Sequence, residues 1–190
     1  MATTVWVVDN RVKRRGDKAS MTRRLIETLQ VYSEDVRVVS TVNDARRIRL
    51  GVVVLSGSSL SIPRGDVQRA QVSITAVTVA LAKGIPVLGI CFGFQLLAFM
   101  HGMRVARLPT VVRGERRVGD DCGVVYFHHQ DAVKIGDAAQ DVLCGKVFVE
   151  HPRVQGVQFH PEATPEGNAW LYRWLREAHV ASQATTRRET

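Results

Sequence analysis

A chain of 190 residues, 45% hydrophobic and 23% charged, has the composition of a single globular domain (1–190) with a real core, which excludes wholesale disorder. No apolar run approaches the ~20 residues that a membrane-spanning helix needs, and the first apolar run precedes its basic residues, the reverse of a secretory signal. No membrane is therefore expected as a partner.

The net charge of +8 is concentrated in two places. Residues 11–24 hold Arg11, Lys13, Arg14, Arg15, Lys18, Arg23 and Arg24 against Asp17, and a second cluster comprises Arg104, Arg107, Arg113, Arg116 and Arg117. Such clusters suit a solvated face, an acidic partner, a phosphorylated metabolite or nucleic acid. Nucleic acid is the least favoured of these, because aromatics are only 6% of the chain and no zinc-finger or RNA-recognition signature accompanies the charge. Cys91, Cys122 and Cys144 are an odd number at unrelated spacings, so neither a disulfide framework nor a zinc site is indicated. A reduced, cytoplasmic protein is expected.

In chain order, residues 4–8 read as a buried strand ending at Asp9-Asn10. Residues 21–32 suit a helix with Ser20 as N-cap and Met21, Leu25, Ile26 and Leu29 on one face. Residues 36–39 and 51–57 are further strands, the second almost wholly apolar, as parallel strands covered on both faces are. A helix is predicted over 67–83, stopped by Gly84, then a buried strand over 86–90 and a helix over 94–102 closed by Gly102. This alternation predicts an α/β fold, an open and mostly parallel sheet flanked by helices. The second half changes style. "RVGDDCGVVYFHHQD", "GKVFVEH" and "RVQGVQF" predict a smaller section of short antiparallel strands, followed by a helix over 168–178. The polar tail from about 181 is expected to fray into disorder.

The stretch "VLGICFGFQLL" (87–97) places Cys91 where strand character gives way to helix character, with Gly89 and Gly93 two residues to either side. A strand, a tight turn bearing a nucleophile and an immediate helix together make a nucleophile elbow. The helix N-terminus beneath the thiol favours thiolate and a nearby oxyanion. A buried cysteine in a strand-to-helix packing turn would look the same, since glycines also serve packing. "GVQFHPE" (156–162) tips the balance. A thiolate needs a base, and the base needs an orienting group. His160 and Glu162 flank the stiffening Pro161 at what reads as a strand end, the edge at which open α/β sheets place their sites.

In combination these stretches resemble the class I, triad-type glutamine amidotransferases, whose glutaminase domains carry a GxCxGxQ elbow, here "GICFGFQ", and a later HPE. "VWVVDN" is similar to the family's opening strand and "VVVLSGSS" to its oxyanion-loop strand, so the resemblance covers nearly the whole chain. It implies that Cys91 attacks the side-chain amide of L-glutamine, that His160 shuttles protons and that Glu162 orients His160. It further implies an oxyanion hole from the backbone N–H groups of Ser58 and Phe92, with Gly57, Gln95 and His129 at the substrate. No metal and no organic cofactor are implied. The implied partner is an ammonia-accepting synthase on another chain, and "HHQDAV" (128–133) resembles the "SHGDxV" region of GMP synthase glutaminases, though an ordinary turn with a solvated Asp131 fits the same residues. A stand-alone hydrolase of γ-glutamyl compounds and a non-catalytic regulatory protein of the same fold are the alternatives.

The chain departs from the family pattern at two positions. Ser58 stands where many members have a second glycine, and serine resists the positive φ that would turn its N–H inward. A slow resting glutaminase that awaits its partner is the corresponding expectation. Phe94 stands where a smaller or polar residue often precedes the glutamine.

Overall fold

Side chains of the central strands alternate between two buried faces, as the twofold repeat of an extended chain requires. The computed structural model describes residues 3–10, 21–135, 138–139 and 153–186. Strands β1 (Val5–Val8), β2 (Val36–Val39), β3 (Val52–Leu55), β4 (Val87–Ile90) and β8 (Val154–Val157) form one parallel sheet in the order β2-β1-β3-β4-β8. Val5, Val7, Val52, Val54, Leu88 and Ile90 enter one core cluster, with Leu25 and Leu29 of α1 (Met21–Tyr32) and Leu171, Trp174 and Leu175 of α6 (Pro165–Thr186). Trp6, Val8, Val53, Leu55 and Val87 enter the other, with Ala45 of α2 (Val42–Arg46), Ala76, Val77 and Ala80 of α3 (Gln71–Ala82), and Phe94 and Leu97 of α4 (Phe92–Met100). Burial on both faces is why these strands are nearly uninterrupted in Val, Ile and Leu.

The second sheet is a long antiparallel hairpin of β5 (Val105–Val118) and β6 (Gly123–Ile135), joined through α5 (Gly119–Cys122) and extended by the two-residue β7 (Ala138–Ala139). It packs onto the parallel sheet through Val125 and Phe127. The predicted fold class, a mostly parallel α/β sheet with a smaller antiparallel section, is the one observed.

Several details differ from the sequence reading. "RVQGVQF" is not part of the antiparallel section, because β8 pairs in parallel with β4. Its alternation says that it is a strand but not which neighbour it will take. The cluster Arg104 to Arg117 is exposed, as surface charge should be, but most of it lies on β5 and part of it is paired. There Arg107 pairs with Asp131 at 3.3 Å and Arg113 donates to the Tyr126 hydroxyl at 3.3 Å. Helix α6 runs to Thr186, so residues 181–186 are helical rather than frayed. Cys122 is disulfide-bonded and Cys91 is a free thiol, against the expectation of a wholly reduced chain. A single bridge leaves no spacing pattern for a sequence reading to find. Ser20, most of the first basic cluster, "GKVFVEH" and residues 187–190 lie outside the described residues.

Candidate active site

The carboxyl ends of four neighbouring strands deliver the site. Asn10 follows β1, the run Ser56-Gly57-Ser58 follows β3, Cys91 follows β4, and His160 lies just beyond β8. The strand order reverses direction between β1 and β3, and a crevice at such a reversal is where open α/β sheets bind ligands.

Cys91 has φ 51° and ψ −103°, the only positive φ at a non-glycine among the described residues. A non-glycine residue there is strained and must be held by its surroundings. The Cys91 N–H donates to Val157 O at 2.8 Å and its carbonyl accepts from Gln95 N at 3.1 Å, so sheet pairing runs up to the turn and the helix begins beyond it. The flanking glycines are obligatory. A Cβ on Gly89 would lie 2.6 Å from the Gly93 carbonyl, and one on Gly93 would lie 2.6 Å from Leu55 O. The elbow predicted from "GICFG" is therefore built by close backbone approach. Phe94 also has a reason: its ring sits over Gly156, where a Cβ would come within 2.3 Å of Cδ2. It fills the space between α4 and β8 and is fully buried.

His160 and Glu162 are both buried, at 5% and 4% exposure, and His160 Nδ1 lies 2.8 Å from Glu162 Oε1. A carboxylate there accepts a hydrogen bond from Nδ1–H and leaves Nε2 for another partner. The His160 N–H donates to Tyr126 O at 2.8 Å, which ties this segment to the hairpin. Burial by itself pulls the imidazole pKa down, but the Glu162 carboxylate, the Cys91 thiol and the hydrogen bonds to both outweigh it. The net result is a pKa well above the ordinary histidine value. The exposed His128 moves the other way, lowered by desolvation and then by the charges of Arg113 and His160.

Cys91, His160, Gly57, Ser58, His128 and His129 all line one cavity of about 490 Å³. The Cys91 sulfur lies 3.8 Å from the His128 carbonyl. The backbone N–H groups of Gly57, Ser58 and Phe92 have no acceptor among the described residues, and helix α4 makes its first bond at Gln95 N, which leaves the Phe92 donor available. Ser58 does not take a positive φ, in keeping with the resistance expected of a serine there. Its hydroxyl donates to Asn10 O at 2.6 Å and accepts from Leu60 N at 3.1 Å.

The remaining expected contacts divide. His129 lines the cavity but is buried, with Nδ1 3.1 Å from Asp131 O. Gln95 lies behind the cavity wall, where Nε2 donates to Asp131 O at 2.6 Å and to Gln158 Oε1 at 3.2 Å. Asp131 is buried in β6 and lines the cavity beside Arg107, rather than standing on a solvated turn. Sequence reasoning missed Arg107 as part of the site because the hairpin register that sets it opposite Asp131 cannot be read from spacing. Among the described residues no cluster of three or more His, Cys, Asp or Glu side chains is placed to hold a metal, and no helix is long and apolar enough to cross a membrane.

A GMP synthase (glutamine-hydrolyzing) of Corynebacterium diphtheriae is 27% identical over 178 residues, and that of Mycobacterium tuberculosis strain H37Rv is 28% identical over the same length. Each match covers 84% of this chain and 33% of the relative, so the chain spans about a third of the length of these curated relatives. Among solved structures, a candidate GMP synthase subunit of Thermoplasma acidophilum superposes with a TM-score of 0.75 at 19% identity, covering 98% of both chains. A glutamine amidotransferase of Thermotoga maritima gives a TM-score of 0.54 at 18% identity, covering all of this chain and 93% of that one. At these identities the two structures speak to the fold alone. Residues 17–178, most of the chain, match the family described as glutamine amidotransferase class-I, and the chain belongs to that family.

Proposed function

We infer that the protein is a glutaminase that hydrolyses L-glutamine to glutamate and ammonia through a γ-glutamyl thioester on Cys91. The observation that carries this reading is the meeting, in one cavity, of an elbow cysteine with a buried histidine whose far nitrogen bonds a carboxylate. Membership of the amidotransferase family supports it.

The residues divide the work as the chemistry requires. An amide is a poor electrophile with a poor leaving group, and a covalent intermediate splits its hydrolysis into two easier steps. Held as imidazolium beside Glu162, His160 stabilises the Cys91 thiolate. Sulfur attacks the side-chain carbonyl carbon, and negative charge develops on the oxygen. The N–H groups of Ser58 and Phe92 receive that oxyanion, each donor in such a site contributing about 3 kcal/mol to the transition state. As the tetrahedral intermediate collapses, the C–N bond breaks and His160 gives its proton to the departing nitrogen, releasing ammonia. His160 then takes a proton from water, which attacks the thioester and frees glutamate and the thiolate. His129 and Gly57 flank the substrate, and Gln95 supports the wall behind it by fixing the Asp131 carbonyl. None of these steps calls for a metal or an organic cofactor.

The ammonia passes to a synthase activity lying outside these 190 residues, of the GMP synthase kind that the relatives' names suggest. The test is ammonia and glutamate release from L-glutamine, measured with and without an ammonia-dependent GMP synthase module. Hydrolysis stimulated by the module supports the reading. Equal turnover in its absence favours a stand-alone hydrolase, and no turnover in either case rejects the glutaminase.

A further inference from the structure

We propose that Asn10 is a positioning residue for the oxyanion-binding loop, acting through Ser56 and Ser58; the proposal rests on the glutaminase reading above. Asn10 is 8% exposed, and all of its polar groups are engaged. Its backbone N–H donates to Ser56 Oγ at 3.0 Å and its side-chain Nδ2 donates to Ser56 O at 2.9 Å. Its carbonyl accepts from Ser58 Oγ at 2.6 Å, and its Oδ1 accepts a short bond from Ser73 Oγ on α3. Ser58 Oγ carries the chain of bonds onward by accepting from Leu60 N at 3.1 Å. The end of β1, the loop after β3 and helix α3 are thus knotted at one buried residue, whose backbone and side chain each make two of the bonds.

The position of this loop matters because it touches the chemistry on both sides. A Cβ on Gly57 would stand 2.8 Å from His160 Cε1 and 3.6 Å from the Cys91 Cβ. A shift of about 1 Å in such a site is enough to misplace a donor. Asn10 itself is not in the cavity lining, so it acts only through the loop. The amide is specifically required, because Asn supplies a donor to Ser56 O and an acceptor for Ser73 at once. An Asp in its place would set a carboxylate oxygen against the Ser56 carbonyl.

The test compares Asn10→Ala, Asn10→Asp and Ser73→Ala with the unaltered protein by four readouts. These are kcat and KM for glutamine, the rate of Cys91 alkylation by iodoacetamide, the pH–rate profile and hydrogen exchange at the Leu60 amide. Alkylation by iodoacetamide develops no oxyanion, so it reports the thiolate–imidazolium pair without the loop. The expected result for Asn10→Ala and Asn10→Asp is a fall in kcat of about 10²-fold, the scale of losing one oxyanion donor. KM and the alkylation rate stay within about twofold and the pH profile keeps its shape, as follows when only transition-state binding is lost. Leu60 exchanges at least about tenfold faster, because the loop that carries the Ser58 hydroxyl is no longer pinned at Ser56 O by the Asn10 amide. Ser73→Ala shows the same pattern with a smaller fall.

Unchanged kcat in both Asn10 variants overturns the proposal. So does a parallel loss of alkylation, which would mean a general collapse of the site, or unaltered exchange at Leu60. If the unaltered protein hydrolyses no glutamine, the glutaminase reading fails and the oxyanion role fails with it. The exchange measurement still reports whether Asn10 anchors the loop, so the two failures are told apart. Asn10→Asp is close to isosteric and keeps the test open should Asn10→Ala not fold.

Discussion

His160 Nδ1 and Glu162 Oε1 are 2.8 Å apart across a single proline, and both side chains are almost wholly buried. Burial pushes the imidazole toward its neutral form, and it holds its proton only because the Glu162 carboxylate and Cys91 answer that effect. The consequence for rate is asymmetric. His160→Ala removes both base and acid and lowers kcat by about 10³-fold or more. Glu162→Gln leaves an imidazole that still accepts a proton, so it costs less. Steady-state kinetics of the two variants check this order, and a Glu162→Gln loss as large as that of Cys91→Ala would require Glu162 to do more than orient the ring.

Cys91 is the free thiol at the strained turn, and its side chain is small. Cys91→Ala therefore abolishes glutamine hydrolysis while leaving the unfolding midpoint close to that of the unaltered protein. A glutamine-derived diazo-ketone labels Cys91 and spares Cys122 and Cys144, read by peptide mass spectrometry. Label on either of the other two, or activity in the alanine variant, would remove Cys91 from the mechanism.

The pH dependence follows from the raised pKa of His160. The folded state holds this proton more tightly than the unfolded chain does, where the imidazole titrates near 6.5. The stabilising contribution is accordingly full below about pH 6.5 and fades as pH rises through the folded value. Activity that needs the imidazolium persists above the ordinary histidine range and falls on the alkaline side. In Glu162→Gln the largest influence holding the proton on is gone, so the alkaline limb moves toward lower pH. The pH profile of kcat/KM and an NMR titration of the ring both read this, and an alkaline limb left in place by Glu162→Gln would contradict it.

Phe94 and Gly156 form a matched pair of large and absent side chains across α4 and β8. Gly156→Ala forces the ring aside and costs about 1–3 kcal/mol of stability. Phe94→Leu in the same chain makes room, so the double variant loses less than the sum of the singles, with a coupling of about 1 kcal/mol. Denaturant unfolding of the two singles and the double closes the cycle. Additive losses would mean that the contact is not what restricts residue 156 to glycine.

The parts of this molecule legible in its sequence are those whose chemistry repeats along the chain. Val5 to Val8 and Val52 to Leu55 announce a doubly covered parallel sheet because every residue must be apolar. Gly89 and Gly93 announce the elbow because nothing larger fits. What escaped was set by pairing across distance. Arg107 and Asp131 meet only through the hairpin register, and β8 takes β4 as its parallel neighbour although its spacing equally suits a hairpin. Asn10, Ser56 and Ser73 look like ordinary turn and helix residues until folding brings them together.

The same network decides what Ser58 does. A serine at a family glycine position first suggests strain and a resting loop turned away from the oxyanion. Ser58 instead has no positive φ, and its hydroxyl makes two bonds that hold the loop to Asn10 and Leu60. Glycine at this position keeps the N–H donor but loses both bonds and gains backbone freedom. Ser58→Gly therefore lowers partner-free kcat by about tenfold, between no effect and the full loss of an oxyanion donor, and leaves KM nearly unchanged. Ser58→Ala falls in the same direction. Glutamine turnover by the two variants, alone and with a synthase module, distinguishes the possibilities. If Ser58→Gly turned glutamine over faster without a partner and was stimulated less by one, the hydroxyl would be holding the loop in a resting state. Ser58 would then gate the site instead of bracing it.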